Sequence, residues 1–484
     1  CGVGLLTLTA ACGSPEDQGE PVDPALAAEI ENGLASFNSD PVAFMNSRPA
    51  KIGTAEAQPF TATADSIAAK DNSAFGVRED PKADAPGAND QAKNLVDSLV
   101  VTKLSDMHTQ NLRSATLPEQ PWSDDYWGLY AGSLAKRYAD SNFRVTEDWK
   151  ANTDQLKNAP ANRNNLSPAE KWDLLVGDAA KSLTQYNINT GKVYYDSSPD
   201  KKVETWMGIC HGWSPAAFMV PRPQKAVTVV AADGQPLTFY PSDLKALSSE
   251  LWANARTATR FIGGRCNVKT PAVDSIGRIT DTACRDTNAG TWHLAIVNQI
   301  AKAKRGFVLD ATFDYEVWNQ PVLGYDYTYF NPKTNKSTTS LTTATVARTS
   351  FTEDKFAKYR AATAVSIVGV AMNVRWIVET RPSSYSPDSP SRDAVSGARY
   401  LYTLELDKDG NIVGGEWLQN AHPDFLWTPP AGAKLLCLTP ACIATLSVSP
   451  RRLPARTRAV NAAIRRSPSR RRDRSCWARR PRPR

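Results

Sequence analysis

Eight cysteines and four histidines are the scarce reactive groups of this 484-residue chain, at 1, 12, 210, 266, 284, 437, 442 and 476 and at 108, 211, 293 and 422. No CxxC pair or Cys/His cluster has zinc-ligand spacing, so a structural zinc site is not indicated. Cys210 lies in MGICHGWSPAAFM, residues 207–219, where a short helix is predicted to begin at or just after the cysteine. A helix N-terminus stabilises a thiolate and turns backbone N–H groups toward an oxyanion, so a cysteine placed there is a candidate nucleophile. A nucleophilic thiol also needs a base. His211 adjoins Cys210 and on a helix points about 100° away from it, and His108 lies in a polar stretch with no special surroundings. His293 is better placed, in GTWHLAIVNQI, which reads as a strand entered through Asn288 and Gly290 with Trp292 beside the imidazole. The next predicted strand, GFVLDATF, carries Asp310 among apolar residues. A carboxylate there is costly unless partnered, and an imidazole on the adjacent strand would partner it. Cys210, His293 and Asp310 thus form a candidate nucleophile, base and orienting carboxylate. The plain alternatives are a buried thiol and an aspartate closing a turn. His422, in NAHPDFLW, is the rival base, although Pro423 after it favours a loop.

The surrounding segments suggest an α+β fold. LSPAEKWDLLVGDAAKSL starts as a helix, with Ser167 capping, Pro168 in the first position and Glu170 completing a capping box. DYWGLYAGSLAKRYA reads as a second, amphipathic helix. RGFVLDATF, SIVGVAMNVRWIVET and RYLYTLELDKDGNIVGGEW are β-branched and aromatic, with DKDG as a hairpin turn. SSYSPDSPSRDAVSG is a polar loop. No segment has the 18 or so apolar residues of a membrane span.

The net charge of +7 is a misleading average. Residues 451–484 hold 14 Arg, no Lys and one Asp, a net +13, which leaves the first 450 residues at −6. The folded body is mildly acidic, so its charge does not indicate nucleic acid as a partner. Four segments are expected. Residues 1–12 resemble an export signal ending in a lipobox-like LTAAC, which makes Cys12 a candidate lipid anchor and the only membrane attachment. Residues 13–95, rich in Ala, Asp, Pro and Ser, read as an acidic tether or leader. Residues 96–450 form the catalytic domain, and 451–484 a disordered Arg-rich tail. The protein is thus expected to be exported, as a cell-envelope lipoprotein or a secreted enzyme. In that setting Cys266 and Cys284, which bracket a polar loop leading to His293, are expected to pair, and Cys437 with Cys442 is a second candidate pair.

WMGICHGWSPAAFMVPRPQKAV, DTNAGTWHLAIVNQI, FVLDATFDYEVWNQPV and GGEWLQNAHPDFLW, with PWSDDYWGLYAG and LSPAEKWDLLVGD upstream, resemble in order the transglutaminase elicitor family of oomycete cell-wall elicitors and their bacterial relatives. The resemblance spans roughly residues 100–430. It implies a fold akin to papain-like thiol enzymes, with a nucleophile at a helix N-terminus packed on an antiparallel sheet. It also implies protein-glutamine γ-glutamyltransferase activity, with Cys210 matching the family nucleophile. The expected partners are protein or peptide glutamine donors and primary amine acceptors. No cofactor is required by the sequence, with calcium as the one possible ion; Asp314 reads as a solvated turn residue, its alternatives being a second carboxylate or a calcium ligand. Trp206, Trp213 and Trp292 are expected to wall the site. The competing readings are a thiol peptidase or amidase acting on extracellular or cell-wall peptides, and a secreted recognition module without turnover.

Overall fold

The computed structural model describes residues 21–52 and 90–437, except 267, 269, 282–283, 285–286, 313–315 and 434–435. Cys12 with the expected export segment, Cys442, Asp314 and the Arg-rich tail lie outside the described residues.

The long β-branched segments form one antiparallel sheet. Its main strands are β1 (Ala50–Ile52), β2 (Arg260–Gly263), β3 (Val308–Asp310), β4 (Asn319–Asn331), β5 (Ser366–Val378), β6 (Ala394–Leu406), β7 (Ile412–Trp417) and β8 (Phe425–Thr428). They lie in the order β1-β6-β5-β4-β3-β8-β2, with β7 pairing β6. The expected DKDG turn joins β6 to β7, with Gly410 at φ 80° and the Asp407 carboxylate accepting from the Asn411 backbone N–H. Five helices matter for the site: α1 (Pro24–Ser39), α2 (Pro168–Val176), α3 (Cys210–Met219), α4 (Pro241–Asn254) and α5 (Ala289–Ile296).

Because successive strand residues point to opposite sides, the sheet divides its surroundings in two. On β5, Val368, Val370, Met372, Val374, Trp376 and Val378 point into the main core, where Trp292, Ala295 and Ile296 of α5 meet them. Ala371 points the other way, into a cluster with Ile30, Leu34 and Phe37 of α1. Ile377 also points that way, into a cluster with Cys210, Trp213 and Ala216 of α3. Helix α5 therefore covers one face, while α1 and α3 cover opposite ends of the other.

Three expectations change. GTWHLAIVNQI is a helix, α5, continuing into a π-helical turn over Val297–Lys302. Its buried residues Ala289, Trp292, Ile296 and Ile300 recur at a helical spacing, and the Asn288 side chain caps the start by accepting from Gly290 N–H. DYWGLYAGSLAKRYA is no amphipathic helix but two single turns, Leu129–Ala131 and Ser133–Ala135, separated by Gly132 at φ 88°. Residues 121–129 are buried throughout, so no polar face exists to make it one. Part of the expected tether is packed structure: α1 buries Ile30, Leu34 and Phe37, and β1 pairs with Gly397–Arg399 of β6. The Ser167–Glu170 capping box on α2 forms as read.

Candidate functional site

Cys210 is the first residue of α3. The turn before it is fixed by backbone contacts. Ile209 N–H donates to Tyr126 O at 2.7 Å, and Gly212 and Trp213 N–H donate back to Ile209 O. Two glycines permit this. A Cβ on Gly208 would stand 2.4 Å from Tyr126 O, and one on Gly212 would stand 2.3 Å from Ser249 O of α4. The cysteine is thus held between the Tyr126 backbone and α4.

The thiol is 6% exposed and is packed with Trp122, Tyr126, Trp213 and Trp252. It lies 3.7 Å from Val317 O, and Asn319 Nδ2 donates to it at 3.6 Å. The orientation of that amide is set from its far side. The Trp427 indole N–H, which can only donate, gives to Asn319 Oδ1 at 2.8 Å, so the NH₂ must face the sulfur. Asp310 is the register partner of Asn319 and shares its face. Its Oδ1 accepts from Thr312 N–H at 3.3 Å, Thr312 Oγ1 at 3.1 Å and Trp318 N–H at 3.0 Å. Burial pushes the Cys210 thiol up to about 11. Hydrogen bonds from Asn319 oppose this, while the charges of Glu379 and Asp310 add to it. Burial thus favours the neutral thiol over the thiolate.

Cys210 and Asp310 lie together; His293 does not join them. On α5 it occupies the opposite sheet face, its ring packed on Tyr327 with centroids 4.8 Å apart and Nδ1 2.8 Å from the Tyr402 hydroxyl. Nε2 is buried with no hydrogen-bond partner among the described residues. Neither ring nitrogen bonds Cys210 or Asp310, and burial alone pushes the imidazole down to about 3. The cause is the change from strand to helix, which places position 293 under the sheet rather than beside Asp310. His422 is also buried, stacked on Trp417 with centroids 4.9 Å apart and Nδ1 3.2 Å from Pro423 O. Of the three tryptophans expected at the site, Trp213 packs with Cys210, Trp206 lies in a neighbouring cluster with Leu129 and Trp149, and Trp292 belongs to the core under the sheet.

Sequence reasoning missed Asn319, Gln320 and Trp427. The signal was present, because EVWNQPVLGY sets two amides in an apolar strand, and the burial argument applied to Asp310 applies equally to them. Cys266 and Cys284 form a disulfide, as expected. No cluster of three or more His, Cys, Asp or Glu suited to a metal ion occurs among the described residues.

A sequence profile described as transglutaminase elicitor matches residues 94–449, about three quarters of the chain. Among solved structures, the crystal structure of the GP42 transglutaminase from Phytophthora sojae is similar, with 24% identity and a TM-score of 0.45 over 68% of this chain and 86% of that one. No curated protein matches. Among the described residues no helix is long and apolar enough to cross a membrane.

Proposed function

Since the chain belongs to the transglutaminase elicitor family, we propose that it is a protein-glutamine γ-glutamyltransferase with Cys210 as its nucleophile. The observation that carries this reading is the buried Cys210 thiol, held between a helix start and the locked Asn319 amide. The sulfur attacks the side-chain amide carbon of a bound glutamine, and its proton passes by way of Asp310 to the leaving nitrogen. The developing oxyanion takes a hydrogen bond from Asn319 Nδ2, a donor fixed before the reaction starts. The C–N bond breaks, ammonia leaves and a thioester remains. A lysine amine then forms the new C–N bond as the C–S bond breaks, and the sulfur regains a proton. Water in place of the amine gives deamidation, which the aromatic packing of Trp213, Tyr126 and Trp252 disfavours by keeping the thioester dry.

The base differs from the one anticipated. His293 is assigned to the core, and Asp310 is the proton relay. The Cys266–Cys284 disulfide supports export, because such bonds persist in oxidising compartments. Glutamine-containing proteins and primary amines are the partners in this reading, and a lipid on Cys12 would link the protein to a membrane.

The test is incorporation of a labelled primary amine into a glutamine-rich protein, together with ammonia release. Cys210→Ala should lose both by at least about a thousandfold, since it removes the nucleophile. Equal activity in wild type and Cys210→Ala would refute the assignment. Peptide cleavage without incorporation would point instead to a peptidase, and no turnover at all to a recognition module.

A further inference from the structure

We propose that Gln320 and Glu379 form the acceptor subsite beside Cys210, binding the ammonium form of a lysine side chain and receiving its proton. This rests on the transferase reading above and adds the second substrate's site to it. Gln320 is 3% exposed. Its Nε2 donates to both Glu379 carboxylate oxygens, at 2.8 and 3.0 Å. That orientation leaves Gln320 Oε1 buried without a donor among the described residues. An amide's oxygen and nitrogen share one carbon, so this acceptor sits within one side-chain width of the carboxylate. Glu379 follows the last residue of β5, is only partly buried, and its charge reaches the Cys210 sulfur. No ion pair to it occurs among the described residues. Three acceptor oxygens, with no cation of their own among the described residues, thus lie together, and the charge of the carboxylate reaches the thiol. A buried orphan acceptor is costly, and an ammonium, with three N–H donors and a positive charge, would satisfy all three oxygens.

The same group can deprotonate the amine. Loss of water pushes Glu379 up to about 7, with the nearby Asp125 charge adding to the shift and the Gln320 hydrogen bond opposing it. The other ionisable groups around it are Cys210 and Tyr126, and Asp125 is itself paired with Lys136. A carboxylate poised near neutrality can take a proton from an ammonium once the two are in contact. The freed nitrogen lone pair attacks the thioester carbonyl, and the C–N bond forms as the C–S bond breaks. The departing thiolate takes the proton held by Glu379, and the second proton that the nitrogen sheds on becoming an amide passes to solvent, so both groups return to their starting states.

The test compares Glu379→Gln with wild type, reading moles of amine incorporated per mole of ammonia released. Two probes are used: cadaverine, a cation at neutral pH, and hydroxylamine, which is largely uncharged there. With cadaverine the ratio should fall by about tenfold or more, the loss expected when a charge-assisted hydrogen bond goes. With hydroxylamine it should fall far less. Calorimetric binding of cadaverine to Cys210→Ala should weaken equally when Glu379→Gln is added, and Gln320→Met should weaken it in the same sense. Equal losses for both amines, or cadaverine binding indifferent to Glu379, would overturn the subsite. Wild type that releases no ammonia but binds cadaverine through Glu379 would sink the transferase reading and leave the subsite standing.

Discussion

Asn319 illustrates how a neighbour that can only donate determines what a side chain offers elsewhere. The Trp427 indole takes the amide oxygen, so the sulfur of Cys210 meets an N–H pair whatever the hydration of the site. A pair of substitutions checks the roles of Asp310 and His293. Asp310→Asn keeps the oxygen that accepts from Thr312 and Trp318 but removes the charge. It should leave the melting temperature within a few degrees and lower ammonia release by about a hundredfold or more, as for loss of a proton-transfer group. His293→Gln should do the reverse. It disturbs the buried bond to Tyr402, costs about 1–3 kcal/mol of stability, and leaves turnover per folded molecule nearly unchanged. Thermal melts and single-turnover ammonia assays on both variants decide the matter. Loss of turnover in a fully folded His293→Gln protein would show that the imidazole reaches the thiol after all.

Among the elements, α3 and α4 depend on one missing methyl group. Their crossing puts Gly212 against Ser249 O, and neither backbone can retreat without moving Cys210, two residues away. Gly212→Ala should therefore cost about 1–3 kcal/mol through overpacking and lower kcat more than KM, because it displaces the nucleophile rather than the substrate contacts. An unchanged kcat in that variant would mean that the crossing does not position Cys210. Helix α1 works differently. Its three buried apolar residues cap the sheet at the end away from α3, so it supports the fold without touching the chemistry.

At the scale of the whole molecule the sheet is a partition, and its buried ionisable groups set the pH response. Burial pushes Glu250 and Glu379 up to about 7 and Asp124 up to about 8. Such raised acids stabilise the fold fully below their unfolded pKa, near 4, and lose that contribution as pH climbs through the folded value. Burial pushes His211 and His422 down to about 4 and His293 to about 3. These contribute above about 6.5 and lose it as pH falls toward the folded values. Between about pH 4.5 and 6.5 the two sets oppose each other, three groups against three. Thermal melts should accordingly show a plateau there, a decline of about 1–2 kcal/mol from pH 6.5 to 8 as the acids ionise, and a further loss of about 1 kcal/mol between pH 4 and 3, chiefly as His293 takes up its proton. Stability that rises steadily from pH 6.5 to 8 would contradict this account.

The sequence alone was enough to place Cys210 at a helix start, the Ser167–Glu170 capping box, the β6–β7 hairpin and the Cys266–Cys284 bond. Each of these depends on residues close in the chain or on chemistry with few alternatives. Family membership was also legible, through motifs carried in order. Asp310 was legible as the site's carboxylate, but the amide that faces the thiol, Asn319, and the second carboxylate, Glu379, were not. Asp310 and Asn319 come from separate strands, and only their register brings them to one face, while Glu379 lies just past the end of a third strand. His293 was assigned to the wrong face because a short apolar segment suits strand or helix almost equally by periodicity. Packing against the sheet chose the helix, and with it the side of the sheet on which that imidazole lies.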